Sequence, residues 1–122
     1  MSKLSSVRHP HVRTILGLIW ISTISISVCY AAVDEEAAKA LAKKSDCFKC
    51  HRLDKKKDGP GWQEVAKKYR GKADAEAKLY THMTTAPIIK IDGEEENHQI
   101  VKTKKDPEIY NLIRFILSLP SP

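Results

Sequence analysis

The chain has 122 residues, 30% of them charged, with 21 Lys and Arg against 15 Asp and Glu and a formal net charge of +6. Such a length accommodates one small domain. A basic excess this mild and dispersed argues against a nucleic-acid surface, and no nucleophile constellation or acid–base pair of a stand-alone enzyme stands out.

The first fourteen residues contain Lys3, Arg8 and Arg13 and no acid; the uncharged stretch Ile15–Val28 follows, and Cys29 and Ala31 supply small residues at −3 and −1. Basic, apolar and small-residue regions in that order read as a secretory signal peptide, residues 1–31, cleaved after Ala31 or Ala32. Counting through Val33 gives nineteen uncharged residues, close to the ~20 that span a bilayer, so an uncleaved N-terminal anchor is the alternative. A lipid attachment through Cys29 is disfavoured by bulky Val28 before it. Either way the domain at 32–122 leaves the cytoplasm for an oxidising compartment. Cleavage leaves 91 residues with a charge of +3 and two cysteines, Cys47 and Cys50. A domain so small commonly needs a staple, metal or cofactor.

Asp34–Asp46 is expected to be helical, with acids in its first turn, lysines in its last and Leu41 as its one large apolar contact. It runs into Cys47-Phe48-Lys49-Cys50-His51. Residues three and four apart share one side of a helical turn, so two thiols can add to the vinyl groups of one haem edge while the imidazole reaches the iron. C-x-x-C-H is the attachment signature of c-type haem. A disulfide between Cys47 and Cys50 would close a very short loop and stabilise little. A thioredoxin-like dithiol would follow a buried strand rather than a helix, and a zinc site would want further ligands.

Gly59-Pro60-Gly61 marks a turn. Trp62, Val65, Ala66 and Tyr69 then recur at i, i+3, i+4 and i+7, predicting a helix that ends at Gly71. Ala73–Thr85 is expected to be helical, with Ala75, Leu79 and Met83 on one stripe, stopping before Ala86-Pro87. Ile89 and Ile91, Asp92-Gly93, then Ile100 and Lys102 suggest a short hairpin or ordered loop. Asp106 as cap and Pro107 at the first helical position launch a last helix with Ile109, Leu112, Ile113, Ile116 and Leu117 on its apolar face.

Together these features resemble the class I cytochromes c, particularly the short bacterial c551/c552-like group, over nearly all of Val33–Leu119. The resemblance implies an all-α fold of three to four helices around one covalently bound haem c, with a short loop or hairpin on the distal side. It implies Cys47 and Cys50 as covalent attachment points and His51 as proximal iron ligand. Pro60 matches the residue whose carbonyl meets the other nitrogen of that histidine, a bond that fixes its tautomer.

The distal ligand departs from the family pattern. The family places a methionine in the loop before the last helix, whereas Met83 lies 32 residues after His51 and inside a predicted helix. His98 lies 47 residues after His51, within that loop. The candidates are His98, then Met83, then an open site; an exposed loop histidine is the competing reading of His98, given the polar residues around it. His82 reads as a surface residue beside Met83.

By resemblance the protein is a periplasmic, monomeric, single-haem electron carrier working with redox partner proteins, without nucleic acid, and with membrane contact only if the leader is retained. Lys55, Lys56 and Lys57, with Lys102, Lys104 and Lys105, are placed to steer an acidic partner or to form a solvated face. The alternatives are a haem-based small-ligand sensor and a membrane-anchored haem c subunit of a larger redox enzyme.

Overall fold

A computed structural model describes residues 32–122. The expected leader and its cleavage after Ala31 lie outside the described residues. The described part is mostly helical, as expected: α1 (Glu35–Lys44), a single 3-10 turn (Cys47–Lys49), α2 (Trp62–Tyr69), α3 (Ala75–Thr84), strands β1 (Ile88–Ile91) and β2 (Glu94–Asn97), and α4 (Asp106–Ser118). No helix among the described residues is long and apolar enough to cross a membrane.

The helix ends follow local chemistry. Asp34 caps α1 by accepting from the Ala37 N–H at 2.9 Å. Glu35 and Glu36 lie in its first turn and Lys43 and Lys44 in its last, each favourable to the helix dipole. Helix α2 starts directly after Gly61, whose N–H donates to Glu64 Oε2 at 3.2 Å.

Helix α4 is the centre of the molecule. Its Ile109, Leu112, Ile113, Phe115 and Ile116 are buried and form one core with Ala38, Leu41 and Ala42 of α1, Trp62 of α2, Leu79 and Met83 of α3, and Val101. Each large side chain so placed contributes about 1.5–3 kcal/mol of burial. The start of α1 is clasped to α4 by two bonds: Asp34 N–H donates to Asn111 Oδ1 at 2.9 Å, and Asn111 Nδ2 donates back to the Asp34 carbonyl at 2.7 Å. Arg114 of α4 meets Glu76 of α3 through two nitrogens, at 3.0 and 3.3 Å.

Some element boundaries differ from the sequence reading. Helix α1 ends at Lys44 rather than running to Asp46. Helix α3 begins at Ala75, because residues 72–75 close a turn through the Ala75 N–H on the Lys72 carbonyl. Helix α4 takes in Asp106 and has Lys105 as its cap residue, whose carbonyl accepts from Glu108 and Ile109. The hairpin's second strand is Glu94–Asn97, without Ile100 or Lys102. Asp92 and Gly93 have φ of 52° and 92°, the two positive values a tight two-residue hairpin turn demands. That turn pairs Ile91 with Glu94 and Ile88 with Asn97, so the hairpin is closed before Ile100 is reached.

Candidate functional site

Three side chains of one segment, Cys47, Cys50 and His51, are brought together by local geometry. The Cys50 and His51 N–H groups both donate to the Cys47 carbonyl, at 3.3 and 3.0 Å, which winds the pentad into one turn. Asp46 precedes it with φ of 61°, a left-handed conformation that Asp tolerates better than most residues. Cys47 and Cys50 are free thiols, each partly buried. Burial first, then the Asp46 and Cys50 charges, pushes the Cys47 thiol up to about 11. A redox dithiol requires the opposite shift, toward an easily formed thiolate.

After the pentad the chain loops back onto itself. Gly59 N–H donates to the Cys50 carbonyl at 2.8 Å, Trp62 N–H to Arg52 at 2.9 Å and Gln63 N–H to Leu53 at 2.9 Å. Closure brings the Pro60 carbonyl within 2.8 Å of His51 Nδ1. Both glycines of Gly-Pro-Gly are explained by close approach: a Cβ on Gly59 would lie 2.6 Å from His51 Cε1, and one on Gly61 would lie 2.9 Å from the Lys55 backbone. His51 is therefore boxed between a carbonyl that holds one nitrogen and a backbone that leaves no room for another side chain. An open cleft of about 720 Å³ runs along this segment, lined by residues including Phe48, His51, Leu53 and Gln63.

The segment after the hairpin brings a second imidazole opposite His51. His98 N–H donates to the Pro87 carbonyl at 2.8 Å, closing the hairpin base, and Val101 N–H donates to the Met83 carbonyl at 3.0 Å. His98 is half-buried although Glu94–Asn97 before it are all exposed. Its ring centroid is 6.0 Å from that of His51. Burial first, then His82 and His51, pushes His98 down to about 4, so the His98 ring is available as a neutral donor. Its Nδ1 is buried without a hydrogen-bond partner among the described residues.

Met83 is elsewhere. It is 8% exposed and packed in the core among α1, α3 and α4 residues, on the buried stripe with Ala75 and Leu79. The structure thus sets His51 beside the two thiols, against the Pro60 carbonyl and opposite His98, and buries Met83 in the core. His82 departs from the surface position expected of it: it is half-buried, with its ring centroid 4.1 Å from His98. Ser45 was not foreseen at all. It is 1% exposed, and its Oγ accepts from the Lys102 N–H at 2.9 Å, a pairing no local pattern announces. Lys102 also donates from its ammonium to Asp46 Oδ2 at 2.6 Å, Lys105 pairs with Glu108 at 3.1 Å and Lys57 with Asp58 at 3.9 Å, so three of the lysines read as partner-steering have internal counter-charges.

The donor set fits a haem. Two imidazoles on opposite sides of one metal, each with a metal–nitrogen distance of about 2 Å, carry ring centroids about 6 Å apart. The observed separation is 6.0 Å, and the thiols lie one helical turn from the first imidazole.

Comparison with known proteins agrees. Residues 35–120 match the model of the family described as Cytochrome c. The structure is similar to the crystal structure of the class 1 cytochrome MtoD from Sideroxydans lithotrophicus ES-1, at 54% identity and a TM-score of 0.70, covering 74% of this chain and 100% of that one. It is similar to wild-type cytochrome c552 of Nitrosomonas europaea at 27% identity and a TM-score of 0.53, covering 66% and 98% of the two chains. The curated cytochrome c-552 of Nitrosomonas europaea is 37% identical over 60 residues, 49% of this chain and 58% of that protein. The chain spans about half the length of the curated relatives it matches. With its class I fold and its Cys-x-x-Cys-His turn, this chain belongs to the cytochrome c family and carries one covalently bound haem c.

Proposed function

We propose that the protein is a single-haem electron carrier whose iron is held between His51 and His98. The observation that carries this reading is the pair of facing imidazoles at 6.0 Å, set beside a turn whose two thiols serve as the covalent attachment points. When bound, the haem supplies a one-electron Fe(III)/Fe(II) couple. The residues of the chain hold it and set its environment. Cys47 and Cys50 anchor one edge. Pro60 accepts the His51 Nδ1 proton, which leaves Nε2 as the donor and fixes the ring's tautomer. His98 takes the distal side in place of a methionine, which favours the ferric state relative to a thioether.

The same reading carries the localisation. Residues 1–31 act as the export signal and residues 32–122 as the periplasmic domain, with retention in the inner membrane as the outcome if the leader is not removed. Exposed Lys55, Lys56 and Lys104 face outward and suit an acidic redox partner.

The test is spectroscopic and electrochemical on the haem-loaded protein. Acid–organic extraction is expected to leave the haem on the polypeptide, and potentiometric titration to give one reversible one-electron wave. The ferric form is expected to be low-spin without the far-red band of methionine ligation. Ready binding of CO by the reduced protein would replace this reading with that of a small-ligand sensor.

A further inference from the structure

A histidine bound to a metal normally has its ring plane fixed by a hydrogen bond from its other nitrogen to a carboxylate, carbonyl or water. His51 obeys this through Pro60 at 2.8 Å. His98 does not. Its Nδ1 is buried with no partner at hydrogen-bonding geometry among the described residues, and its interaction with the Gln99 backbone is the smallest of the influences on the ring's basicity. No protein group holds that ring as Pro60 holds His51.

The group in place to do so is His82. Its ring centroid stands 4.1 Å from that of His98 with the planes inclined at 51°, close enough for atoms of the two rings to touch. His82 is carried by α3, and its neighbour Met83 anchors the helix in the core. The backbone of the His98 segment is tied to the same helix end, through Val101 N–H on the Met83 carbonyl. The two rings are therefore mounted on parts of the chain that are hydrogen-bonded together.

We propose that His82 is a positioning residue: by ring-against-ring contact it sets the plane of the distal His98 imidazole, the part that the Pro60 carbonyl plays for His51. This rests on His98 being the distal ligand. It does not require His82 to bind iron, to donate a proton or to change charge; it requires only a ring at that position. The consequence is a distal side whose geometry is set by shape, opposite a proximal side whose geometry is set by a hydrogen bond.

The experiment compares ferric EPR spectra and midpoint potentials of the haem-loaded wild type with His82→Ala, His82→Phe and His98→Ala. His82→Ala is expected to stay low-spin, with its outermost g value shifted and broadened as the His98 plane becomes heterogeneous, and with a displaced potential. His82→Phe, which keeps a ring without its nitrogens, is expected to restore a single narrow signal close to wild type. An unchanged spectrum in His82→Ala, or a His82→Phe spectrum no closer to wild type than His82→Ala, overturns the inference. Conversion of His82→Ala to high-spin overturns it too, by showing that His82 is itself the ligand. His98→Ala separates the two levels. If it remains low-spin, the ligand reading fails and takes this inference with it; if it turns high-spin while His82→Ala is silent, only the inference fails.

Discussion

The two walls of the haem space are built in opposite ways. The proximal segment, Cys47–Gln63, holds itself together: His51 and Pro60 are nine residues apart, and the bonds from Gly59, Trp62 and Gln63 return to Cys50, Arg52 and Leu53. The distal segment, residues 87–103, has a hairpin of its own, but its second strand is wholly exposed. Its placement depends on remote partners: Val101 on Met83, and Lys102 on Ser45 and Asp46, 57 and 56 residues away. Ala86, at the entry to this segment, also has a φ of 49°, a left-handed conformation that costs a non-glycine residue about 1–2 kcal/mol. Short closures cost little chain entropy, so the proximal wall is fixed by sequence-local contacts. The distal wall is only as firm as the tertiary structure behind it.

The sharpest way to break this contrast is to exchange the roles of the two distal candidates. His98→Ala is expected to abolish the low-spin ferric spectrum and open the reduced protein to CO, while Met83→Ala leaves ligation intact and lowers stability by about 2–5 kcal/mol through the cavity it creates. Absorption spectra and urea unfolding of the two variants decide it, and the reverse pattern would place Met83 on the iron. On the proximal side, Gly59→Ala puts a Cβ 2.6 Å from the His51 ring. Overpacking of this kind costs about 1–3 kcal/mol, and the His51–Pro60 bond should lengthen or break. A wild-type Tm and an unaltered EPR spectrum would show that the box around His51 is looser than described.

Smaller changes probe the tether. Ser45→Ala removes the acceptor of a part-buried N–H and is expected to cost about 1 kcal/mol, with faster amide exchange in residues 98–103 than in 47–63. Equal exchange in both segments would remove the distinction drawn between them.

The smallest expected effect is acid-dependent. Hydrogen bonding first to Lys102 and then to Lys49 holds the Asp46 carboxyl below its ordinary value of 3.8. The folded state therefore binds the Asp46 proton less readily than the unfolded state. The stabilisation is complete above pH 3.8 and is lost as pH falls through the lower, folded value. Because the carboxylate is solvent-screened, Asp46→Asn should reduce stability slightly at neutral pH and flatten the fall in Tm below pH 4. A variant that tracks wild type across that range would show that the clip contributes nothing.

Much of this molecule was readable along the chain because its signals are local. Caps and periodicity announced α1, α2 and α4. The buried stripe of Ala75, Leu79 and Met83 was legible from their spacing of four, and Asp92-Gly93 marked the hairpin turn, because each depends on a repeat or a dihedral preference within a few residues. The extent of β2 was misread because strand pairing is set by the turn, which assigns Glu94–Asn97 whatever their polarity. Gly59 and Gly61 looked like turn residues, and only the packed structure shows that a side chain at either would collide with His51 or Lys55.

The haem attachment turn and the histidine that follows it are legible along the chain, and with them the family, since they are written in contiguous residues whose chemistry needs no distant partner. Which side chains face that histidine was decided by tertiary structure alone. On paper Met83 and His98 are both candidates, and His82 reads as a surface residue. Burying the α3 stripe against α4 sends Met83 into the core, and an adjacent residue on a helix points about 100° away. His82, just before Met83, is thus turned out of the core and toward the loop, where the closure of the hairpin at Pro87 sets His98 against it.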